Sequence, residues 1–177
     1  MADSTGIQQD ATGVGSNTLS FSMQHQQQGN WCWAAVAASV RNYFQSPPDP
    51  LMQQCTVVNH QLSRTDCCAT APPTGCNVRG SLQRALAWVG HLKARQSGTL
   101  DIGPISLQIN TKCPIGVRIS WRGGGAHFVA IVGYSDLPTG QFVDVEDPLY
   151  GPSVFRLSAF KTGYKSDGTW THTFLTK

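Results

Sequence analysis

The sequence of 177 residues contains few charged side chains. They make up 13% of the chain, about half of the ~25% found in ordinary soluble domains. The 13 basic and 10 acidic residues leave a net charge of +3, and the lysines and arginines form no cluster. These absences exclude a charge-rich disordered chain, a coiled coil and the basic stripe of a nucleic-acid-binding protein. We therefore expect a soluble globular protein that does not bind nucleic acid.

Long apolar runs and an N-terminal leader are also missing. Apolar runs such as Phe128–Val132 are far too short to cross a bilayer, so we expect no membrane association. The segment Met1–Gly15 has neither the basic start nor the apolar core of a signal peptide. Four of the six cysteines nevertheless fall within residues 55–76, which indicates disulfides and an oxidising compartment. The pattern predicts a secreted protein, exported with a leader since removed or by a leaderless route.

Polarity and periodicity divide the chain into a tail and one domain. Residues 1–19 are polar without periodicity, which predicts a disordered tail, and residues 20–177 form the domain. Residues 31–44 are apolar nearly all round and predict a buried helix, with Asn30 as its N-cap. Shorter helices are predicted over about 50–62, 82–89, 104–111 and 157–164, and strands over 115–121, 127–134, 141–147 and 169–176. Helices precede an antiparallel sheet, which is the α+β pattern.

Cys32 differs from the other cysteines because it begins the predicted buried helix. The dipole and the free N–H groups of a helix N-terminus favour a thiolate, the nucleophilic form of cysteine. Trp31 and Trp33 flank it, and their rings are large enough to wall a substrate cleft. A buried core cysteine is the alternative interpretation, since cysteine is among the most often buried residue types.

His127 begins an apolar strand directly after three glycines, residues 123–125. Glycines let a backbone approach a ligand closely, and a histidine at the mouth of a strand can reach across a cleft. A structural histidine at a strand end is the alternative.

Asp147 is the carboxylate best placed to orient that histidine. Side chains alternate along a strand, so within residues 141–147 Asp147 shares a face with two valines. A carboxylate on an apolar face needs a partner, because burying it alone is costly. Hairpin pairing brings the end of this strand beside His127. Glu146 is the single glutamate, which excludes a pair of glutamates for acid–base catalysis.

A thiol, an imidazole and a carboxylate are the parts of a nucleophile–base–orienter triad. The oxyanion that develops during acyl transfer also needs a hydrogen-bond donor. Amide side chains upstream of Cys32 can supply it, and the candidates are Gln24, Gln26, Gln27 and Gln28.

Three segments resemble papain-like cysteine proteases. Gln26–Ala35, with the sequence QQQGNWCWAA, resembles their glutamine-to-Cys-Trp-Ala box, and Ala126–Tyr134 resembles their histidine strand. Glu146-Asp147-Pro148, followed by Gly151, resembles the Asp-Pro ending of the short bacterial members. The nearest group is the Avr-type effector proteases of plant pathogens, and staphopains and bacteriocin-leader peptidases are more distant. The resemblance covers about residues 20–176.

The resemblance implies a papain-like α+β fold, in which a helical half carrying the cysteine packs on an antiparallel sheet half. It implies Cys32 as nucleophile, His127 as general base and acid, and Asp147 as orienter, without a cofactor. The oxyanion glutamine of the family lies six positions before the cysteine, which is Gln26. The long papain-like enzymes differ in having an asparagine at the position of Asp147 and a cysteine at that of Gly29. Most of them also carry an inhibitory propeptide, for which a polar tail of about 20 residues is too short.

The clustered cysteines predict either two disulfides or a zinc site. No Cys-x-x-Cys pair is present, so we expect no metal. The candidates for pairing are Cys55, Cys67, Cys68 and Cys76. Adjacent cysteines are poorly placed to pair with each other, which leaves 55–67 with 68–76, or 55–68 with 67–76. Cys113 is predicted to be a buried free thiol.

These observations favour an endopeptidase that forms a thioester and binds an extended peptide between the two halves. Gly124 and Gly125 are candidates for strand-like hydrogen bonds to that peptide. Deamidation or acyl transfer by the same triad is an alternative, and a non-catalytic, disulfide-stapled binding module is another. The expected partner is a protein or peptide substrate, with a host protein as one candidate and delivery into a host cell as one route. We expect a monomer.

Overall fold

The computed structural model describes residues 15–45 and 49–177, which form a mixed helix and antiparallel sheet fold. The helices in these ranges are α1 (Cys32–Phe44), α2 (Gln54–Leu62), a 3₁₀ turn (Thr74–Cys76), α3 (Leu82–Trp88), α4 (Ile102–Asn110) and α5 (Leu157–Gly163). The strands are β1 (Gly15–Thr18), β2 (Leu92–Ser97), β3 (Ile115–Trp121), β4 (Ala126–Leu137), β5 (Gly140–Glu146), β6 (Ser153–Arg156) and β7 (Gly168–Thr176). The α+β prediction is confirmed.

All seven strands belong to one antiparallel sheet. Its order is β2-β7-β3-β4-β5-β6, and β1 pairs with the far end of β4. The β4–β5 hairpin turns between Leu137 and Gly140, and the pairing of Ala130 with Glu146 closes its open end. The residue that follows β5, Asp147, therefore lies beside the beginning of β4, as the hairpin prediction requires.

Helix α1 forms the centre of the helical half. Its residues from Cys32 to Val40 are all buried, which confirms the helix expected from the all-round apolar pattern. Asn30 is not its N-cap, because Trp31 holds that position without a side-chain cap. The Asn30 side chain instead donates to the carbonyl of Asn77 at 3.0 Å, and the Asn77 side chain accepts from the Asn30 N–H. This pair ties the start of α1 to the cysteine-rich loop.

The sheet separates two apolar cores. Helices α1, α2 and α3 pack against one face through Phe128 and Phe174. Helices α4 and α5 cover the other face, where Ile105 and Phe160 are fully buried. The first turn of α1 and the start of β4 consequently meet along a groove between the helical half and the sheet.

Two predicted boundaries are wrong, and some strands are missing from the prediction. The disordered tail was predicted to include residues 1–19, but Gly15–Thr18 form strand β1. The rest of the predicted tail, residues 1–14, lies outside the described ranges. Helix α2 begins at Gln54 rather than near residue 50, where the chain is extended before the Gln53 cap. Strands β2 and β6 were not predicted, because both are largely exposed or short. No helix of the described ranges is long and apolar enough to cross a membrane.

Two disulfides close the cysteine-rich loop. Cys55 pairs with Cys68 and Cys67 with Cys76, which is the second of the two arrangements left open by the sequence. They join this loop to α2 and to the 3₁₀ turn. Cys113 is free but half-buried, so the prediction of a buried thiol is wrong. It follows α4 in an exposed turn, where its thiol lies 3.5 Å from the carbonyl of Thr111.

Candidate active site

A cleft of about 550 Å³ opens between the N-terminus of α1 and the beginning of β4. Cys32 and Trp33 lie on the helical wall, and His127 and Phe128 lie on the sheet wall. Cys32 is the first residue of α1, so its backbone N–H has no acceptor within the helix. The fold thus brings a thiol and an imidazole from distant parts of the chain to opposite walls of one cleft.

His127 lies between Asp147 and Cys32. Its Nε2 lies 2.9 Å from Oδ1 of Asp147, and the Cys32 thiol shares the cleft with the ring and is close enough to influence its pKa. Because Nε2 is engaged by the carboxylate, Nδ1 is the nitrogen left for the thiol. The ring is 6% exposed, so water has little access to either contact. The three residues expected from the sequence to act together therefore lie at one site, with His127 hydrogen-bonded to Asp147.

Asp147 is held in place by four donors. Besides His127, its Oδ1 accepts the backbone N–H groups of Leu149 and Tyr150 at 2.6 and 3.0 Å. Its other oxygen, Oδ2, accepts the hydroxyl of Tyr164, which is fully buried beneath it. A buried carboxylate with this many hydrogen bonds is fixed in orientation, and it fixes the imidazole in turn.

These contacts set the protonation states. Burial disfavours the charged form of His127, but hydrogen bonds and charges from Asp147 and Cys32 outweigh it and raise its pKa from 6.5 to about 9. Burial also disfavours the Asp147 carboxylate, yet hydrogen bonds from His127 and Tyr164 hold its pKa below the usual 3.8. Burial, followed by the hydrogen bond to Asp147, raises the pKa of Tyr164, which keeps its hydroxyl a donor. His127 is consequently protonated and Asp147 ionised at neutral pH.

Two aromatic rings border the imidazole. Trp121 stacks on His127 with ring centroids 6.2 Å apart, and Tyr150 approaches edge-on at 6.1 Å. Both rings also line the cleft. They limit the orientations of His127 and supply apolar surface beside the thiol.

Gln26 lines the cleft, whereas Gln27 and Gln28 line a separate cavity of about 320 Å³. The Nε2 of Gln26 donates to the carbonyls of Gln28 and Gly29, both at 3.1 Å, so both amide hydrogens are used within the loop. Its buried Oε1 accepts no hydrogen bond from the described residues. The free donor expected at Gln26 is therefore missing in this rotamer, and a half-turn of the amide would exchange the positions of Nε2 and Oε1.

The residues predicted to bind substrate divide into two groups. Trp33 and Gly125 line the cleft, but Trp31 and Gly124 do not. Trp31 is 1% exposed and donates from Nε1 to the carbonyl of Cys76, because it packs under the disulfide-linked loop. Gly124 adopts a φ of 93° in the β3–β4 turn and donates its N–H to the carbonyl of Trp121, so that N–H is not free to bind a substrate.

Sequence reasoning missed Tyr164, Arg79 and Arg118. Tyr164 follows α5 and reaches Asp147 only through tertiary packing, so no local pattern points to it. Arg118 interrupts the apolar strand β3, and this interruption is the signal that could have identified it. Arg79 lies in a loop without any periodic pattern.

The described residues contain one cluster with the composition of a metal site, formed by Asp66, Cys67 and Cys76. Its two cysteines are joined in a disulfide, so they offer no thiolate to a metal ion.

Comparisons with known proteins agree with this arrangement. A structure from work on antibody cross-reactivity between the mite allergens Blo t 1 and Der p 1 superposes with a TM-score of 0.57. The alignment has 13% sequence identity and covers 99% of this chain and 75% of the other, so it supports the fold alone. No curated protein sequence matches the chain. The family model described as "Papain-like cysteine protease AvrRpt2" matches residues 14–165, which is most of the chain. The chain therefore belongs to the AvrRpt2 family of papain-like cysteine proteases.

Proposed function

We propose that this cysteine protease hydrolyses internal peptide bonds through a Cys32–His127–Asp147 triad and a thioester intermediate. The observation that carries the proposal is the placement of His127 in one cleft with the Cys32 thiol while its Nε2 is bound by the buried Asp147 carboxylate. The raised pKa of His127 supports an imidazolium that can give a proton to the leaving group.

In this mechanism the Cys32 thiolate attacks the carbonyl carbon of the scissile bond. The tetrahedral intermediate collapses as the C–N bond breaks, and the His127 imidazolium gives its proton to the leaving amine. The acyl group remains on sulfur as a thioester. A water molecule then attacks the thioester carbonyl while His127, now neutral, takes its proton. The carboxylic acid leaves, and the thiolate and imidazolium are restored.

Two donors stabilise the oxyanion in this proposal. One is the backbone N–H of Cys32, free at the start of α1. The other is Nε2 of Gln26, after the amide exchanges a bond to the Gln28 or Gly29 carbonyl for one to the oxyanion. The position of Gln26 in the cleft supports this assignment, because the neighbouring glutamines line another cavity. Removing one such donor lowers kcat by about 10²–10³ elsewhere.

An extended peptide is the substrate form that fits the groove. Tyr150 is exposed and offers ring surface to a peptide, whereas the Trp33 ring is buried behind the cleft wall; Gly125 has no side chain to obstruct a peptide beside β4. The carbonyl of Gly125 already accepts the N–H of Trp121 at 3.3 Å, so Gly125 offers a substrate its N–H rather than its carbonyl. Strand-like contacts of this kind read the backbone and leave the side chains free to determine specificity.

The two disulfides support secretion and action on a protein outside the producing cell, because such bonds persist in oxidising compartments. A host protein is the target that we propose for a member of this family.

Site-directed variants with a protein substrate test the mechanism. We expect Cys32→Ala and His127→Ala each to remove nearly all peptide cleavage while thermal unfolding stays cooperative. Asp147→Asn should cost less, since an amide still accepts from the imidazole. Asp144→Asn is the matched control, because Asp144 lies on β5 shortly before Asp147 but accepts the hydroxyl of Thr18 at 2.5 Å and does not line the cleft. Near-normal cleavage by Cys32→Ala would refute the proposal.

Alkylation gives a second, substrate-free test. At mildly acidic pH an ordinary thiol is protonated, so we expect iodoacetamide to modify Cys32 well before Cys113. The half-buried Cys113 serves as the internal control. The preference should disappear in His127→Ala, because that variant removes the partner of the thiolate. Mass spectrometry of a treated protein then separates hydrolysis from deamidation: cleaved fragments support a protease, whereas a gain of about one dalton without cleavage supports a deamidase.

A further inference from the structure

The cleft carries an unbalanced charge. Its lining contains two arginines, Arg79 and Arg118, and no aspartate or glutamate among the described residues. The carboxylate nearest the thiol, Asp147, is buried and engaged by His127 and Tyr164, so it does not neutralise either guanidinium. The net charge of the chain is only +3, so two cations in one groove are a local feature and not a general excess.

Arg118 lines the same cleft as Cys32 and His127. It is the cross-strand partner of Phe128, which also lines the cleft. Its NH1 donates to two neutral hydroxyls, those of Ser120 and Thr171, the latter at 2.9 Å. Within the described ranges it makes no ion pair, and its Nε and NH2 make no hydrogen bond. The hydroxyls hold the half-buried guanidinium in place without cancelling its charge.

Arg79 approaches the same space from the helical half. One of its terminal nitrogens lies 3.9 Å from the point that a Cβ atom would occupy at Gly125, on the sheet side of the cleft. Its side chain therefore crosses from one wall of the groove towards the other. It is exposed and makes no ion pair within the described ranges.

The sheet surface beyond Arg118 is also cationic. His172 on β7 is the cross-strand partner of Arg118, and Arg95 lies on β2 beside that strand. Burial, then the charges of Arg95 and Arg118, lowers the pKa of His172. The positive charges of Arg95 and Arg118 thus disfavour protonation of a neighbouring histidine, as expected for a surface whose positive potential is not compensated by carboxylates.

From this placement we propose that Arg118 and Arg79 select substrates with an acidic side chain within a few residues of the scissile bond. The inference rests on the proposed peptidase function. A carboxylate of the bound peptide would supply the counter-ion that the cleft lacks, and it would accept the Nε and NH2 hydrogens of Arg118 as a bidentate pair. Arg118 contributes more than Arg79 because it is less exposed and already held in position.

A random peptide library tests the preference. Each peptide is acetylated and amidated at its ends, so side chains are its only carboxylates, and cleavage sites are read by mass spectrometry. We expect Asp and Glu to be enriched at one position near the cleaved bond. Replacing that residue by Asn or Gln in a synthetic substrate should lower kcat/KM about 10- to 100-fold, and added salt should reduce the difference.

Three variants assign the preference to residues. Arg118→Gln should cleave the acidic and amide peptides at nearly equal rates, and Arg79→Gln should narrow the difference in part. Arg84→Gln is the matched control, because it removes one positive charge from the exposed surface of α3 and should keep the full preference. If Arg118→Gln does not fold, Arg79→Gln carries the test, since that side chain is exposed. The proposal is overturned if the unsubstituted enzyme cleaves the acidic and the amide peptide equally well. It is also overturned if Arg118→Gln and Arg79→Gln both keep the full preference for the acidic peptide.

Binding separates this inference from the peptidase mechanism. The same library is passed over immobilised Cys32→Ala protein, which lacks the nucleophile, and over Cys32→Ala/Arg118→Gln protein. Enrichment of acidic peptides on the first and not on the second supports the recognition site even if no peptide is ever cleaved. The absence of such enrichment, with cleavage intact in the unsubstituted enzyme, leaves the peptidase standing and refutes the acidic preference.

Discussion

Replacing Tyr164 by phenylalanine removes one hydroxyl from beneath the active-site carboxylate. The ring packs against Phe155, Phe160 and Trp121, and Phe keeps those contacts, so the substitution opens no cavity of consequence. Oδ2 of Asp147, whose side chain is fully buried, loses its hydrogen-bond donor. A hydrogen bond to a charged group contributes about 1.5–3 kcal/mol, so we expect the free energy of unfolding to fall by about 2 kcal/mol at neutral pH. The corresponding decrease in Tm is about 4–8 °C for a chain of this length.

The pH dependence distinguishes this loss from a packing defect. The pKa of Asp147 is lower in the folded protein than its usual 3.8, so its ionisation stabilises the fold above that value and ceases to do so as the pH falls. Tyr164→Phe weakens this contribution. Urea unfolding from pH 7 to pH 3 should therefore show a difference between the variant and the unsubstituted protein that shrinks at the acid end. Tyr150→Phe is the control, because Tyr150 binds Asp147 through its backbone N–H. A loss of equal size at both pH values would refute the reasoning.

Three further predictions concern other parts of the site and fold. Gln26→Ala should lower kcat about 10²–10³-fold with little change in KM, and Gln27→Ala should stay within a few-fold of the parent; the reverse pattern would show that the donor lies at another residue. Thiol counting after denaturation without reductant should find two free thiols, Cys32 and Cys113, and four free thiols would contradict the disulfide pairing. Reduction should lower the Tm, because each disulfide that closes a short loop contributes about 3 kcal/mol to stability. The raised pKa of His127 stabilises the fold below about pH 6.5, and this contribution, up to about 3 kcal/mol, is lost as the pH rises towards about 9. Chemical unfolding should show that the free energy of unfolding of the unsubstituted protein declines over this pH range and that of His127→Gln does not. Parallel pH dependences of the two proteins would refute the prediction.

The parts that could be predicted from sequence are those fixed by local pattern. The all-round apolar run gives α1 because a helix with no polar face has to be buried, and this places Cys32 at its start. The short turn between Leu137 and Gly140 sets the register of the β4–β5 hairpin, and the register places Asp147 beside His127. Each inference needs only neighbouring residues and one periodicity.

The features that could not be predicted depend on contacts between residues far apart in the sequence, on a disulfide pairing that differs by a single residue, or on a strand without an alternating pattern. Tyr164 reaches Asp147 only after α5 folds back over the sheet. Adjacent Cys67 and Cys68 allow two pairings that differ by a single residue, and sequence alone does not rank them. Strand β2 is polar and exposed over most of its length, so it lacks the alternation that predicts a strand.

A single backbone hydrogen bond joins the segment before the nucleophile to the loop after the orienting carboxylate. The N–H of Gln26 donates to the carbonyl of Pro148 at 2.8 Å, so the strand-following loop and the approach to α1 move together at this end of the groove. The same loop supplies the Leu149 and Tyr150 N–H groups that bind Asp147, and Gln26 carries the amide that we propose as an oxyanion donor. The bond therefore couples the position of that amide to the loop that holds the carboxylate, so a displacement of one segment is transmitted to the other.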